Sequence, residues 1–153
     1  MSLRARFNEE LKAAMLGKNQ PKVSTIRLIM AALKERDIAA RPQGVADGIA
    51  DDQILSMMQG MIKQRRESIE MYEKGGRPEL AEQEKGEIAI IETFLPQQMP
   101  ESEAKSALDA LIKEVEATSI KDLGKVMAEA KKRWPGLMDF SKASAYAREK
   151  LAS

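Results

Sequence analysis

Lys74-Gly75-Gly76-Arg77-Pro78-Glu79-Leu80 decides how this chain folds. Two adjacent glycines, each costing about 1 kcal/mol of helix propensity, end a helix, whereas a proline is tolerated in a first turn because the amide it lacks has no partner there anyway. One helix therefore stops at about Lys74 and another starts at Pro78. Upstream, Ile54, Met58, Met61, Ile62, Ile69 and Tyr72 fall in one sector at roughly 100° per residue, which predicts a long helix capped by Asp51 or Asp52. Downstream, Leu80, Ile88, Ile91 and Phe94 predict a helix from Pro78 to Leu95. So short a connection makes the two an antiparallel hairpin.

Arg65 lies inside the apolar sector of the first of these helices, and Glu84 and Glu87 lie in that of the second. Folding the hairpin about Gly76 brings Arg65 opposite Glu87, so the prediction is a partly buried pair of Arg65 with Glu87 or Glu84. Such a pair fixes register and adds little net stability, because desolvation offsets the attraction. A metal or acid–base site built on the paired carboxylates is the competing reading. The helical Glu-x-x-His pattern that would support it is missing, as the chain has no histidine.

Working outward, Leu3, Phe7, Leu11 and Ala14 behind Ser2 predict a first helix ending at Gly17-Lys18-Asn19. Val23, Ile26, Met30 and Leu33 predict a second, opened by Asn19 or Gln20 before Pro21 and closed by Arg41-Pro42-Gln43-Gly44. Pro96-Gln97-Gln98-Met99-Pro100 is a domain boundary, because each proline biases the residue before it out of the helical region. Beyond it three short helices are expected: one on Ala104, Leu108, Leu111, Ile112 and Val115, one capped by Ser119 on Leu123, Val126, Met127 and Ala130, and one capped by Asp139 on Phe140, Ala143, Ala147 and Leu151. The expected fold is all-α: an N-terminal helical domain with a long antiparallel hairpin over residues 1–95, then a small three-helix domain over 96–153.

Composition narrows the chemistry. With neither histidine nor cysteine among 153 residues, no His–Cys zinc site, cysteine nucleophile or serine–histidine pair can be built. Asp, Glu, Lys and Tyr remain, and their ordinary pKa values lie far from neutrality. No metal, cofactor or independent catalysis is expected. Apolar runs fall well short of the ~20 residues of a membrane span, and Leu3 opens directly into an amphipathic pattern without a signal-peptide core. The expectation is a soluble, cytoplasmic protein. A formal net charge of +1 excludes a broad polybasic surface, so any nucleic-acid contact must be a local patch.

One such patch is visible. Lys121, Lys125 and Lys132 project within roughly 40° of one another, opposite Leu123, Val126 and Met127. Lys131 and Arg133 flank them near the helix C-terminus, where positive charge also complements the macrodipole, and Lys142 follows the next turn. Lysines on the outer face of a helix are commonly just solvated. The sharper reading is a ridge that tracks a phosphate backbone without reading bases. Gly124 within this helix suggests close approach of another helix, and Trp134, if exposed, a platform for a base.

With these residues in view the chain resembles the GatB/YqeY family along nearly its whole length. The resemblance rests on Ser24-Thr25-Ile26-Arg27, Lys63-Gln64-Arg65-Arg66-Glu67-Ser68 with Tyr72, Gly76-Arg77-Pro78-Glu79-Leu80-Ala81, Phe94-Leu95-Pro96-Gln97-Gln98 and Asp122-Leu123-Gly124-Lys125-Val126-Met127. It implies an all-helical protein whose C-terminal part looks like the tail domain of the B subunit of the glutamine-dependent aminoacyl-tRNA amidotransferase, where helical and tail portions hold tRNA. Related modules are appended to some glutaminyl-tRNA synthetases. The family often has Gly-Arg-Ala-Asp-Gly where this chain has Gly136-Leu137-Met138-Asp139-Phe140, so an arginine is replaced by leucine.

The resemblance implies a stand-alone tRNA-binding accessory module, with tRNA and an aminoacyl-tRNA synthetase or amidotransferase as partners. A carbon–nitrogen ligase role with glutamine as amido donor would come only by association, since neither a phosphate-binding loop nor a nucleophile constellation is present. A helical protein–protein adaptor without RNA binding is the third reading. The candidate nucleic-acid residues are Lys121, Lys125, Lys131, Lys132, Arg133 and Lys142.

Overall fold

The computed structural model describes residues 2–152. Among them it forms seven α-helices and no strand: α1 (Leu3–Leu16), α2 (Gln20–Ala40), α3 (Asp51–Lys74), α4 (Pro78–Glu92), α5 (Glu101–Glu114), α6 (Leu123–Arg133) and α7 (Phe140–Ala152). Its contacts gather into two compact units that divide between Leu95 and Pro96.

The first unit holds α1 to α4 around Phe7, Ile26, Ile29, Ile54, Met58, Ile91 and Phe94, all essentially shielded from water. Phe7 and Phe94 meet edge to face at 5.0 Å, the arrangement that brings a ring's positive edge to the negative face of its neighbour. Ser2 caps α1 by accepting the Ala5 amide at 3.1 Å. α3 opens differently from expectation: the N-cap position is Ala50, so Asp51 and Asp52 sit in the first turn, and the Gln53 side chain reaches back to the Ala50 amide at 3.2 Å. Asp51 accepts the Leu3 amide instead, at 3.4 Å. α3 and α4 pack along each other in antiparallel order, as the pairs Glu73–Lys85 and Arg66–Glu92 require. α4 stops at Glu92, three residues early: its last carbonyls, those of Ile90, Ile91 and Glu92, accept the Thr93, Phe94 and Leu95 amides in tighter turns at 3.2, 3.0 and 3.1 Å, and Arg6 donates to the next two carbonyls, Thr93 O at 3.0 Å and Phe94 O at 3.4 Å, over the Phe94 ring.

The loop from Gly44 to Ala50 is held by one clip. Arg4 forms a two-pronged pair with Asp37 at 2.7 and 2.9 Å and also donates to Ile49 O at 2.9 Å, while Asp37 accepts the Ile49 amide at 2.9 Å. Gly48 crosses this clip at φ +93°, where an added Cβ would lie 2.6 Å from Arg4 Nη2 and 2.9 Å from Asp37 Oδ1. Glycine is required there both by backbone conformation and by space.

The second unit packs α5, α6 and α7 around Leu108, Leu111, Val126, Ala130 and Ala147. It is not a plain three-helix unit. A 3₁₀ turn, Ile120–Asp122, precedes α6, because the Asp122 carboxylate folds back onto the Thr118 and Ser119 amides at 2.9 and 3.3 Å. Ser119 therefore does not cap one continuous helix. Asp139 does cap α7, accepting the Ser141 and Lys142 amides at 2.9 and 3.3 Å. The segment after Pro96 is tied to the α6–α7 turn: Met99 donates its amide to Leu137 O at 2.7 Å and the Gln98 side chain donates to Gly136 O. Tyr146 on α7 donates to Asp109 on α5 at 2.9 Å, with Lys105 and Lys150 within 6 Å of the ring. No helix among the described residues is long and apolar enough to cross a membrane.

Candidate nucleic-acid interface

The charged residues inside the hairpin form one cluster. Arg65 Nε lies 3.0 Å from Glu87 Oε2 and 3.8 Å from Glu84 Oε2, and Arg65 Nη1 donates to Met61 O at 3.2 Å. All three side chains are largely covered, at 13%, 17% and 21% exposure for Arg65, Glu87 and Glu84. Burial, reinforced by the hydrogen bond with Glu87, pushes the Glu84 carboxyl above the ordinary value of a glutamic acid. A raised carboxyl pKa is a mark of functional sites as well as of structural networks. Here the cluster lines neither of the two cavities described below, and among the described residues no group of three or more Asp or Glu side chains is arranged to hold a metal ion. The geometry is that of an interhelical tie.

The six candidate residues of the second unit do not share one face. Lys125 and Lys132 stand exposed on the outer face of α6, seven residues apart and so nearly in line, with Lys121 exposed on the 3₁₀ turn before them. Lys125 Nζ donates to the Val115 carbonyl at 3.2 Å, a contact at the surface, and the Asp122 carboxyl, held below its ordinary value chiefly by the Thr118 and Ser119 amides, also feels its charge. Arg133 is held by carboxylates. It holds Glu114 of α5 through two hydrogen bonds at 2.6 and 2.9 Å and Glu129 of its own helix at 2.9 Å. These two carboxylates raise the guanidinium pKa further, and the guanidinium in turn lowers that of Glu114, so Arg133 is engaged within the protein. Lys131 faces α7, where it lines a cavity with Ser141, Ser144 and Arg148. Lys142 is exposed on the first turn of α7.

Two other expectations change. Trp134 is half-buried and packs on the core of the second unit, so it is not a free stacking platform. Gly124 is exposed, and a Cβ built there would meet nothing within 4 Å, so no close helix approach explains it. Arg148 is the basic residue that sequence reasoning passed over. The spacing Ser141, Ser144, Arg148 places all three on one face of α7, but which helix lies beside that face is a tertiary fact.

A two-unit helical protein with a local cationic face and no metal cluster among its described residues is thus the class that fold and site define. The chain belongs to the YqeY-like protein family, whose family model, described as "Yqey-like protein", matches residues 4–151. It is 34% identical, over 97% of its own length and 80% of the relative's, to "Altered inheritance of mitochondria protein 41, mitochondrial" of Eremothecium gossypii. The protein of the same name in Pyrenophora tritici-repentis is 31% identical over 84% of this chain and 71% of the relative. That of Lachancea thermotolerans is 33% identical over 66% of this chain, a match that spans about half of the relative, 52%. These relatives correct the expectation of a cytoplasmic protein, since each is mitochondrial by name. Composition records contact with water, and it does not distinguish one aqueous compartment from another.

Proposed function

We propose that this chain is a tRNA-binding accessory module that presents tRNA to an aminoacylation or transamidation enzyme and performs no chemistry itself. The observation carrying the reading is the line of exposed lysines on α6, Lys125 and Lys132, continued by Lys121, none of which forms an ion pair among the described residues. Lysines at one-face spacing displace counterions from successive phosphates and position RNA without reading sequence. A net charge of +1 confines this attraction to the local face. Arg133, held by two carboxylates, makes no contribution to it. Family membership supports the link to amidotransferase-related proteins, and any carbon–nitrogen ligase role would arise in the assembly. Residues 1–95 and 96–153 act as separate domains in this reading, the second carrying the RNA face. Direct binding of the full chain to unfractionated tRNA, with and without Lys125→Ala/Lys132→Ala, tests it: the double variant binds more weakly, and equal binding removes the ridge from the account.

One observation favours a protein partner as well. A groove of about 540 Å³ on the first unit, floored by Phe7, Met30 and Leu33, carries Ile38 at 47% exposure. An apolar helix face of a partner enzyme fits such a groove.

A further inference from the structure

The cavity between α6 and α7 measures about 400 Å³, within the roughly 300–1,000 Å³ range of small-molecule sites. It is lined by Lys131 from α6 and by Phe140, Ser141, Ser144, Ala145 and Arg148 from α7. Two cations and two hydroxyl side chains converge on it, and no carboxylate contributes to its wall. Among the described residues neither Lys131 nor Arg148 forms an ion pair, in contrast to Arg133 with Glu114 and Glu129 and to Lys105 with Glu101. Two unneutralised cations facing one concavity repel each other, and an anion between them relieves that repulsion. The planar guanidinium fork of Arg148 suits two oxygens of one phosphate, the Lys131 ammonium supplies a point charge, and Ser144 adds a hydroxyl. The half-buried ring of Phe140 gives the same cavity an apolar wall. The amides at the start of α7 are not the anchor, because Asp139 already occupies those of Ser141 and Lys142.

We propose that this cavity is a binding site for the phosphate of a nucleotide, with Arg148 and Lys131 as its charge partners and Phe140 against the nucleoside. The site is an open depression whose lining does not include Lys125 or Lys132, and it does not rest on the tRNA reading. A free mononucleotide and a phosphate of an RNA chain present the same group to it.

Amide NMR of the full chain at constant ionic strength tests the proposal, titrating first inorganic phosphate and then adenosine 5′-monophosphate. Saturable shifts confined to Ser141, Ser144 and their neighbours are expected, with the nucleotide binding more tightly than phosphate. Arg148→Ala weakens binding about tenfold or more, the loss of a charge-assisted contact, and Arg148→Lys recovers part of it. Lys125→Ala/Lys132→Ala leaves it unchanged. Arg148 is exposed, so unaltered amide positions in the second-unit core verify that the variant is folded. Displacement of the nucleotide by tRNA identifies RNA as the source of the phosphate, and retention identifies a free nucleotide. Shifts that do not saturate, that spread over every exposed lysine, or that saturate in Arg148→Ala at the same ligand concentration as in wild type overturn the proposal.

Discussion

Arg133 grips Glu114 with both ends of its guanidinium, Nη1 2.6 Å from Oε2 and Nη2 2.9 Å from Oε1. The contact ties the end of α6 to the end of α5 and takes the only arginine of α6 out of the cationic face. Arg133→Ala should therefore leave tRNA affinity and its salt slope unchanged while lowering the thermal midpoint of the protein. Arg133 holds the Glu114 carboxyl below the ordinary value of 4.5, chiefly through this hydrogen bond. A depressed folded-state pKa gives stability that is present above the unfolded value and is lost as pH falls through the folded one. Thermal unfolding followed by circular dichroism should thus separate wild type from variant at pH 7 and bring them together in acid.

The Arg65–Glu87–Glu84 cluster makes the opposite prediction. Burial raises the Glu84 carboxyl, so the folded state holds its proton more tightly than the unfolded chain, and stability declines as pH rises from about the ordinary value of 4.5 through the raised one. Glu84→Gln should flatten that decline and leave the protein at least as stable at pH 7. Glu87→Ala removes the nearest partner of a mostly covered arginine and should cost about 1–3 kcal/mol in urea unfolding.

Gly48→Ala should break the clip between Arg4 and Asp37. The new Cβ collides with both side chains and the backbone stays at a positive φ, so a loss of about 1–3 kcal/mol is expected in denaturant unfolding. Arg4 lowers the Asp37 carboxyl from 3.8 to about 2, and the Ile49 amide adds to this. The clip therefore stabilises the wild type above about pH 4 and weakens as pH falls toward 2. The difference between wild type and Gly48→Ala should shrink over that interval.

Gly124→Ala separates structure from binding. With open space around the position and helical neighbours, alanine should raise stability by about 0.5–1 kcal/mol. If RNA backbone approaches this point of α6, tRNA affinity falls although the protein is more stable. Unchanged affinity assigns the glycine no part in the interface.

Periodicity carried most of the helices into view, because apolar stripes and Gly/Pro punctuation are local. Gly75, Gly76 and Pro78 located the break between α3 and α4, and Asp139 its cap on α7. What periodicity missed depends on contacts between elements. The early end of α4 lies where the chain tightens over Thr93–Leu95 and Arg6 takes the Thr93 and Phe94 carbonyls, and the 3₁₀ turn before α6 goes with Asp122 folding back on Thr118 and Ser119. Arg133 looked like part of a cationic face until Glu114 appeared beside it, nineteen residues away in sequence. Arg148 went unread because packing, not spacing, puts it on the same cavity wall as Lys131.

The most direct measurement is the affinity for unfractionated tRNA across a salt series, for wild type, Lys125→Ala/Lys132→Ala and Arg133→Ala. Wild type should bind with a clear salt slope, the double lysine variant more weakly with a slope shallower by about 1–2, and Arg133→Ala as wild type does. No binding at low salt, or equal slopes for wild type and the double lysine variant, would contradict the tRNA reading.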